Sequence, residues 1–233
     1  MSVYEDLTKA IEQTFVAKFP RQKLATFGIT IIDYYVVTEP LYTATDFAKK
    51  DLESVVRKGK VIAQKPTIIT PTYALNLDGF SDGAYDYMRH ISRVYGPNSP
   101  AVMYEYKNQP ISLEIVGGIP TEIAHRISED LIDHKNDLSV VIVGVDEFWD
   151  ASLMKFIYEF TGSSLEYNAR EMRGQGFLDP QKEVGGIPKV VLDQIEEMFK
   201  SVQKGGSPHI LKTELDKWGV YKFYEDRFLS LFK

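Results

Sequence analysis

The stretch Leu138-Ser139-Val140-Val141-Ile142-Val143-Gly144-Val145 leaves a fold little freedom. It is apolar almost throughout, rich in β-branched residues, and far too short to cross a bilayer. It also lacks the alternation of a strand with one wet face. A run of this kind belongs inside a sheet that is covered on both sides. Covering both sides takes helices, so the chain reads as α/β.

The flanking patterns supply those helices and further strands. Residues 120–134 open on Pro120 and carry Ile123, Ile127 and Leu131 at helical spacing. Residues 150–161 are apolar on most sides, which predicts a buried helix ending at Gly162. Upstream, a helix is expected over 3–19, stopped by Pro20. A strand is expected over 26–37, a helix over 46–58, and short strands at 61–63 and 67–70. Another helix should run from Ser81 to Tyr95, with Ala84, Met88, Ile91 and Tyr95 as its core face. Residues 101–106 and 111–116 read as the two arms of a hairpin turning at Lys107-Asn108-Gln109-Pro110. After Gly162 helices are expected near 164–173, 189–204, 209–218 and 220–232. The expectation is thus a mixed α+β fold. Its mixed sheet has an antiparallel hairpin and a βαβα unit, is covered by helices, and is followed by a helical C-terminal part. A division into residues 1–162 and 163–233 fits that pattern.

Composition removes several functional classes. There is no cysteine, which excludes thiolate nucleophiles, cysteine-based zinc and iron–sulfur sites, and disulfides. The opening MSVYEDLTKAIEQ has no signal-peptide pattern, so the expected location is cytoplasmic. The net charge is -6, and its acidic excess lies wholly beyond residue 120. The densest basic run is Arg57-Lys58-Gly59-Lys60. Nucleic-acid binding, which draws on lysine and arginine for phosphates, is disfavoured.

The candidate chemistry sits where the apolar strand ends. Asp146 and Glu147 follow Val145, and Asp150 opens the next helix. Ligands of α/β sheets gather beyond the carboxyl ends of strands. Asp146 and Glu147 are therefore candidate ligands for a divalent metal such as Mg²⁺ or Ca²⁺. With Asp150 they are also candidates for acid–base catalysis. Over residues 140–147 the pattern resembles the acidic strand of P-loop nucleotide hydrolases. In that family an Asp helps hold magnesium and an adjacent Glu can orient water. The matching phosphate loop, GxxxxGK[ST], is absent from the chain. The competing reading is helix capping, since acids in a first turn complement the helix dipole.

Three further features bear on function. Val116-Gly117-Gly118-Ile119-Pro120 recurs as Val184-Gly185-Gly186-Ile187-Pro188, each copy opening an amphipathic helix. Gly117, Gly118 and Thr121 are candidate anion contacts at the first helix start, against the reading that both copies are structural caps. Asp33 falls in alternation with Ile29, Ile31, Tyr35 and Val37 and is a candidate catalytic acid; the alternative is an edge or bulge marker. Glu122, His125, Glu129 and Asp133 share a helix face that reads as solvated, with Glu122–Arg126 and Arg126–Asp130 as expected i,i+4 pairs. His90, His134 and His209 show no ligand spacing.

Tyr221, Tyr224, Phe228, Leu231 and Phe232 form an aromatic stripe close to the end of the sequence. It must pack on its own domain or on another chain, so a homodimer through the C-terminal helices is an expectation. Two functional readings follow. One is a non-catalytic binding or regulatory protein that self-associates. The other is a small-molecule enzyme, divalent-metal dependent in one version, centred on Asp146 and Glu147.

Overall fold

A computed structural model describes residues 3–41 and 52–232. The elements are α1 (Val3–Gln13), β1 (Phe15–Lys18), β2 (Thr30–Glu39), β3 (Glu53–Ala63), β4 (Thr67–Ile69), α2 (Pro71–Leu75), α3 (Asp82–Tyr95), β5 (Ala101–Met103) and β6 (Tyr106–Gly117). They continue with α4 (Pro120–Asp133), β7 (Ser139–Val145), α5 (Trp149–Gly174), β8 (Pro180–Gln181), β9 (Ile187–Pro188), α6 (Lys189–Gln203), α7 (Pro208–Lys217) and α8 (Tyr221–Ser230). The fold is mixed α/β, as the sequence implies. The chain divides into two compact units: Met1–Lys65 with Tyr104–Asn168, and Pro66–Met103 with Ala169–Lys233.

The first unit is built on a five-stranded sheet ordered β1-β7-β2-β3-β6. β2 and β7 run parallel; the β1–β7, β2–β3 and β3–β6 pairs are antiparallel. β7 is interior, and Val140, Val141, Ile142 and Val143 are all buried. Alternation sends the side chains of β2 to opposite faces. Ile32, Tyr34 and Val36 pack with Val140 and Ile142 beneath Leu153, Phe156 and Phe160 of α5. Val37, Val141, Val143 and Val56 pack beneath Ile123, Ala124 and Leu131 of α4. One helix on each face is why the central strands carry no polar stripe. Tyr34 is 1% exposed, and a Cβ on Gly59 would collide with its ring and with the Gln109 carbonyl. Glycine is required there because the tyrosine ring lies across the neighbouring strand.

The second unit closes around α6, α7 and α8. Val191, Ile195 and Phe199 share a core with Leu211, Leu215, Trp218, Val220, Tyr224 and Phe228, and with Ile68, Met172 and Ile187. The terminal aromatic stripe is therefore largely spent within this core. Phe199 and Tyr224 are 5.5 Å apart between ring centroids, and Tyr221 meets Phe228 edge-on at 5.8 Å. Of the expected stripe, only Phe232 is strongly exposed. No helix among the described residues is long and apolar enough to cross a membrane.

Several local expectations are corrected. The helix foreseen over 3–19 ends at Gln13; residues 15–18 form β1, paired with β7. Thr14 marks the change, its hydroxyl donating to the Ala10 carbonyl at 2.8 Å. Residues 53–58 are strand, not helix, and Leu52 is in neither; residues 46–51 lie outside the described residues. Val55 and Val56 are adjacent and both buried because β3 is covered on both faces, a pattern that also fits a helix. Residues 107–110 do not turn. β6 runs straight through Pro110, pairing with β3 throughout, and residues 101–103 pair instead with β4. Pro110 is tolerated because β6 is an edge strand, with a register shift opposite Lys58 and Gly59. α5 passes Gly162 without a break; the helix-interior glycine costs about 1 kcal/mol relative to alanine. Phe160 and Ser164, buried on either side of it, anchor that stretch. In α3 no residue is fully buried, and Tyr95 faces solvent rather than a core.

Candidate functional site

The acidic strand tip lies where the sequence puts it, at the carboxyl ends of two adjacent parallel strands. Thr38 pairs with Gly144 and Glu39 with Val145, so the last residues of β2 stand beside the last residues of β7. Beyond them Asp146, Glu147 and Phe148 make a single 3-10 turn leading into α5. Gly144 is needed at this junction, because a Cβ there would strike the Ser152 hydroxyl.

Asp146 is held by two neighbours through one oxygen, Oδ1. Arg57 Nη1 donates to Asp146 Oδ1 at 2.5 Å and to Thr38 Oγ1 at 3.1 Å. Thr38 Oγ1 in turn donates to Asp146 Oδ1 at 2.5 Å. The side chains of Arg57 and Asp146 are only 16% and 14% exposed. The guanidinium carbon lies 5.4 Å from the centre of the Trp149 ring. The result is a charge-assisted clamp tying β3, β2 and β7 together at one rim.

The other expected site residues do not converge on it. Glu147 and Asp150 are exposed, and Asp150 accepts the N–H of Ala151 at 2.9 Å. Asp33 sits at the opposite end of β2, beside Ser139, about 17 Å from Thr38 at the rise of a strand. There it accepts from Asn136 Nδ2 at 3.1 Å and lies 3.7 Å from Lys60 Nζ. Among the described residues, no group of three or more His, Asp or Glu is placed to hold a metal ion.

Gly117 and Gly118 share the rim of Asp146, but β2 and β3 stand between β7 and β6. Three strand spacings put them about 14 Å away. Gly118, at φ +124°, donates its N–H to the Leu52 carbonyl at 2.6 Å, and its own carbonyl accepts from Ser54. That amide has no hydrogen left for an anion. Thr121 is exposed in the first turn of α4. The two glycine-rich copies also differ in shape. Pro120 begins α4 with Ile119 as its N-cap, whereas Pro188 is itself the N-cap of α6. Gly185 and Gly186 are both left-handed, but Gly117 is not.

A second candidate lies on the opposite face of β3. Lys58, next in sequence to Arg57, points to the α4 side and opens a groove of about 290 Å³. Val56, Val116, Ile123 and Ile127 form its apolar walls, and Tyr35, Lys58, Glu114, Arg126 and Asp130 its polar groups. Lys58 Nζ is 3.0 Å from Glu114 and 5.9 Å from the Tyr35 ring centre. The hydrogen bond from Lys58 holds the Glu114 carboxyl below its ordinary range. Burial pushes the Tyr35 phenol up, helped by Asp33. Asp130 is drawn instead to His134, whose imidazole it raises mainly through its backbone carbonyl. The expected pairs of Arg126 with Glu122 and Asp130 do not form. Arg126 has no ion pair among the described residues and lines the groove.

The sequence reading missed Arg57, Thr38 and Trp149 at the first location and the groove altogether. One signal was present. Arg57 and Lys58 are neighbours on a strand, and alternation alone sends them to opposite faces. Compared with protein-family models, with curated proteins and with solved structures, the chain matches none of them.

Proposed function

We propose that this chain is a binding protein, and that its ligand is a small organic acid held in the groove between α4 and the β3–β6 pair. The observation that carries the reading is Arg126, a guanidinium without an ion pair at the mouth of an apolar-walled groove. Arginine is the side chain best shaped to take a carboxylate in two parallel hydrogen bonds. The short apolar body of such a ligand would rest on Val56, Val116 and Ile127. Lys58 is already paired with Glu114, which leaves Arg126 as the cation available to the carboxylate. A volume near 290 Å³ is at the small end of ligand sites and suits a compact acid.

Thermal shift with benzoate and hexanoate, alongside their neutral amides, tests this. The acids raise the melting temperature, approaching about 2.7 kcal/mol of stabilisation at about a hundredfold excess over Kd. The amides have a much smaller effect. Arg126→Ala, an exposed substitution costing under about 0.5 kcal/mol in itself, abolishes the response to the acids. Equal stabilisation by acid and amide, or an intact shift in Arg126→Ala, would rule the groove out as an acid site.

A second reading, a small-molecule enzyme at the strand tips, is favoured by one observation. Glu147 is exposed and follows Asp146 in sequence, at the carboxyl rim of adjacent parallel strands. In that reading Glu147 is the acid–base group and Asp146 only fixes the rim. Glu147→Gln would then remove a ligand-induced shift that Arg126→Ala leaves intact.

A further inference from the structure

β6 is the outer strand of the sheet and, among the described residues, has no strand partner on its far side. Natural edges are commonly blunted by proline, bulges or charge. Here the protection covers only part of the strand. Pro110 lacks a donor, and the register shift opposite Lys58 and Gly59 leaves Ile111 as an extra residue. From Leu113 onward the pairing with β3 is regular: Leu113 faces Arg57, Glu114 faces Val56, and Ile115 faces Val55.

An apolar row runs from the irregularity into this regular end. Ile111, Leu113 and Ile115 are 62%, 59% and 56% exposed. Three large aliphatic side chains in file, next to unpaired backbone groups, form an adhesive edge. The apolar positions of the segment Ile111-Ser112-Leu113-Glu114-Ile115 are moreover symmetric about Leu113. In an antiparallel pairing of two copies about Leu113, leucine meets leucine, each Ile111 meets Ile115, and each Ser112 meets Glu114. No charge meets its like. The one carboxylate in the segment is already held by Lys58 of its own chain.

We infer that β6 pairs with β6 of a second copy across a two-fold axis at Leu113, joining two five-stranded sheets into one continuous sheet. A two-fold contact is isologous and closes after two copies. Pro110 and the irregularity at Ile111 end the ladder, so it does not extend toward Tyr106. The symmetry of the apolar row selects a second copy of this chain over an unrelated strand.

Sedimentation equilibrium of the full chain from about 1 µM to about 100 µM tests this. A dimer is expected. Leu113→Lys and Leu113→Glu each place like charges on the axis and raise the dissociation constant at least about tenfold. Both leave circular dichroism unchanged, because Leu113 is exposed. Mixing the two variants restores a dimer, since lysine then faces glutamate at the axis. A monomeric wild-type chain overturns the inference. So does a dimer indifferent to both variants, or one broken by Phe232→Lys just beyond α8 instead. Failure of the mixture to re-form a dimer overturns it as well. Arg126 plays no part in this contact, so these results stand apart from those for the organic acid.

Discussion

Asp146→Ala destabilises the sheet-bearing unit by about 3 kcal/mol, while Asp146→Ala combined with Arg57→Leu recovers most of that loss. The asymmetry follows from the clamp. Arg57 is nearly enclosed, its Nη1 is directed at one carboxylate oxygen, and Thr38 shares the same oxygen. Removing the carboxylate leaves a guanidinium with one weaker acceptor, the Thr38 hydroxyl, in surroundings that water reaches poorly. Stranding a buried charge costs more than the intact pair contributes. Replacing both charges removes the desolvation problem together with the attraction. Hydrogen exchange in β2 and β7 under increasing urea measures the loss in this unit alone. A change below about 1 kcal/mol would place the pair among ordinary surface ion pairs. The same variant bears on function. If the rim of β2 and β7 is only scaffolding, Asp146→Ala lowers stability but leaves the affinity for benzoate intact.

How much of this could be read beforehand depends on whether an interaction is local. β7 was legible because no other environment suits eight residues of that composition. α4 and α6 were legible from phase: Ile123 and Leu131, like Val191 and Phe199, are buried as their spacing requires. β3 was not, since Val55-Val56 satisfies either period when both faces of a strand are covered. The hairpin at 101–116 failed for a related reason. Lys107-Asn108-Gln109-Pro110 has turn composition, but a pairing partner on one side can hold such a segment extended, and strand order is not written in any one segment. The same limit applies to the site. Asp146 was visible because its own strand delivers it. Its partner Arg57 is 89 positions away, and only the order β7-β2-β3 brings them together. The groove is less legible still. It depends on Lys58 and Glu114 from neighbouring strands and on Arg126 from a helix laid across them, three residues that are each ordinary in their local sequence. Gly117 and Gly118 show the converse. Their pattern suggested an anion cradle, yet the Gly118 amide is used to hold Leu52.

Raising the pH should unfold the sheet-bearing unit steeply once the ordinary phenol range, about pH 10, is passed. Tyr34, Tyr35, Tyr104 and Tyr106 all have their phenols pushed up, in each case chiefly by burial. In the unfolded chain these groups lose their protons near pH 10; in the fold they keep them to higher pH. The folded state therefore binds more protons in that window, and its stability falls as pH rises. Each such tyrosine contributes about 1.4 kcal/mol per pH unit to the slope. The stabilisation they represent is fully present below pH 10 and is lost as pH climbs through their raised values. Lys18 acts in the other direction. Burial lowers its ammonium, whose three acceptors are the carbonyls of Asn136 and Ser139 and the Ser139 hydroxyl. Below its ordinary value of 10.5 the unfolded chain holds that proton more firmly, so this one group makes the fold gain stability with rising pH. One opposing group does not offset four. Urea midpoints taken from about pH 8 to about pH 12, with tyrosinate absorbance followed in parallel, should show phenolate appearing together with unfolding. Tyr106→Phe isolates the cause. It removes the hydrogen bond with Thr161 Oγ1, at about 1 kcal/mol near neutrality, and makes the alkaline slope shallower by about 1.4 kcal/mol per pH unit. If the slope is unchanged in that variant, alkaline instability arises from charge repulsion across the surface rather than from phenols held in the core.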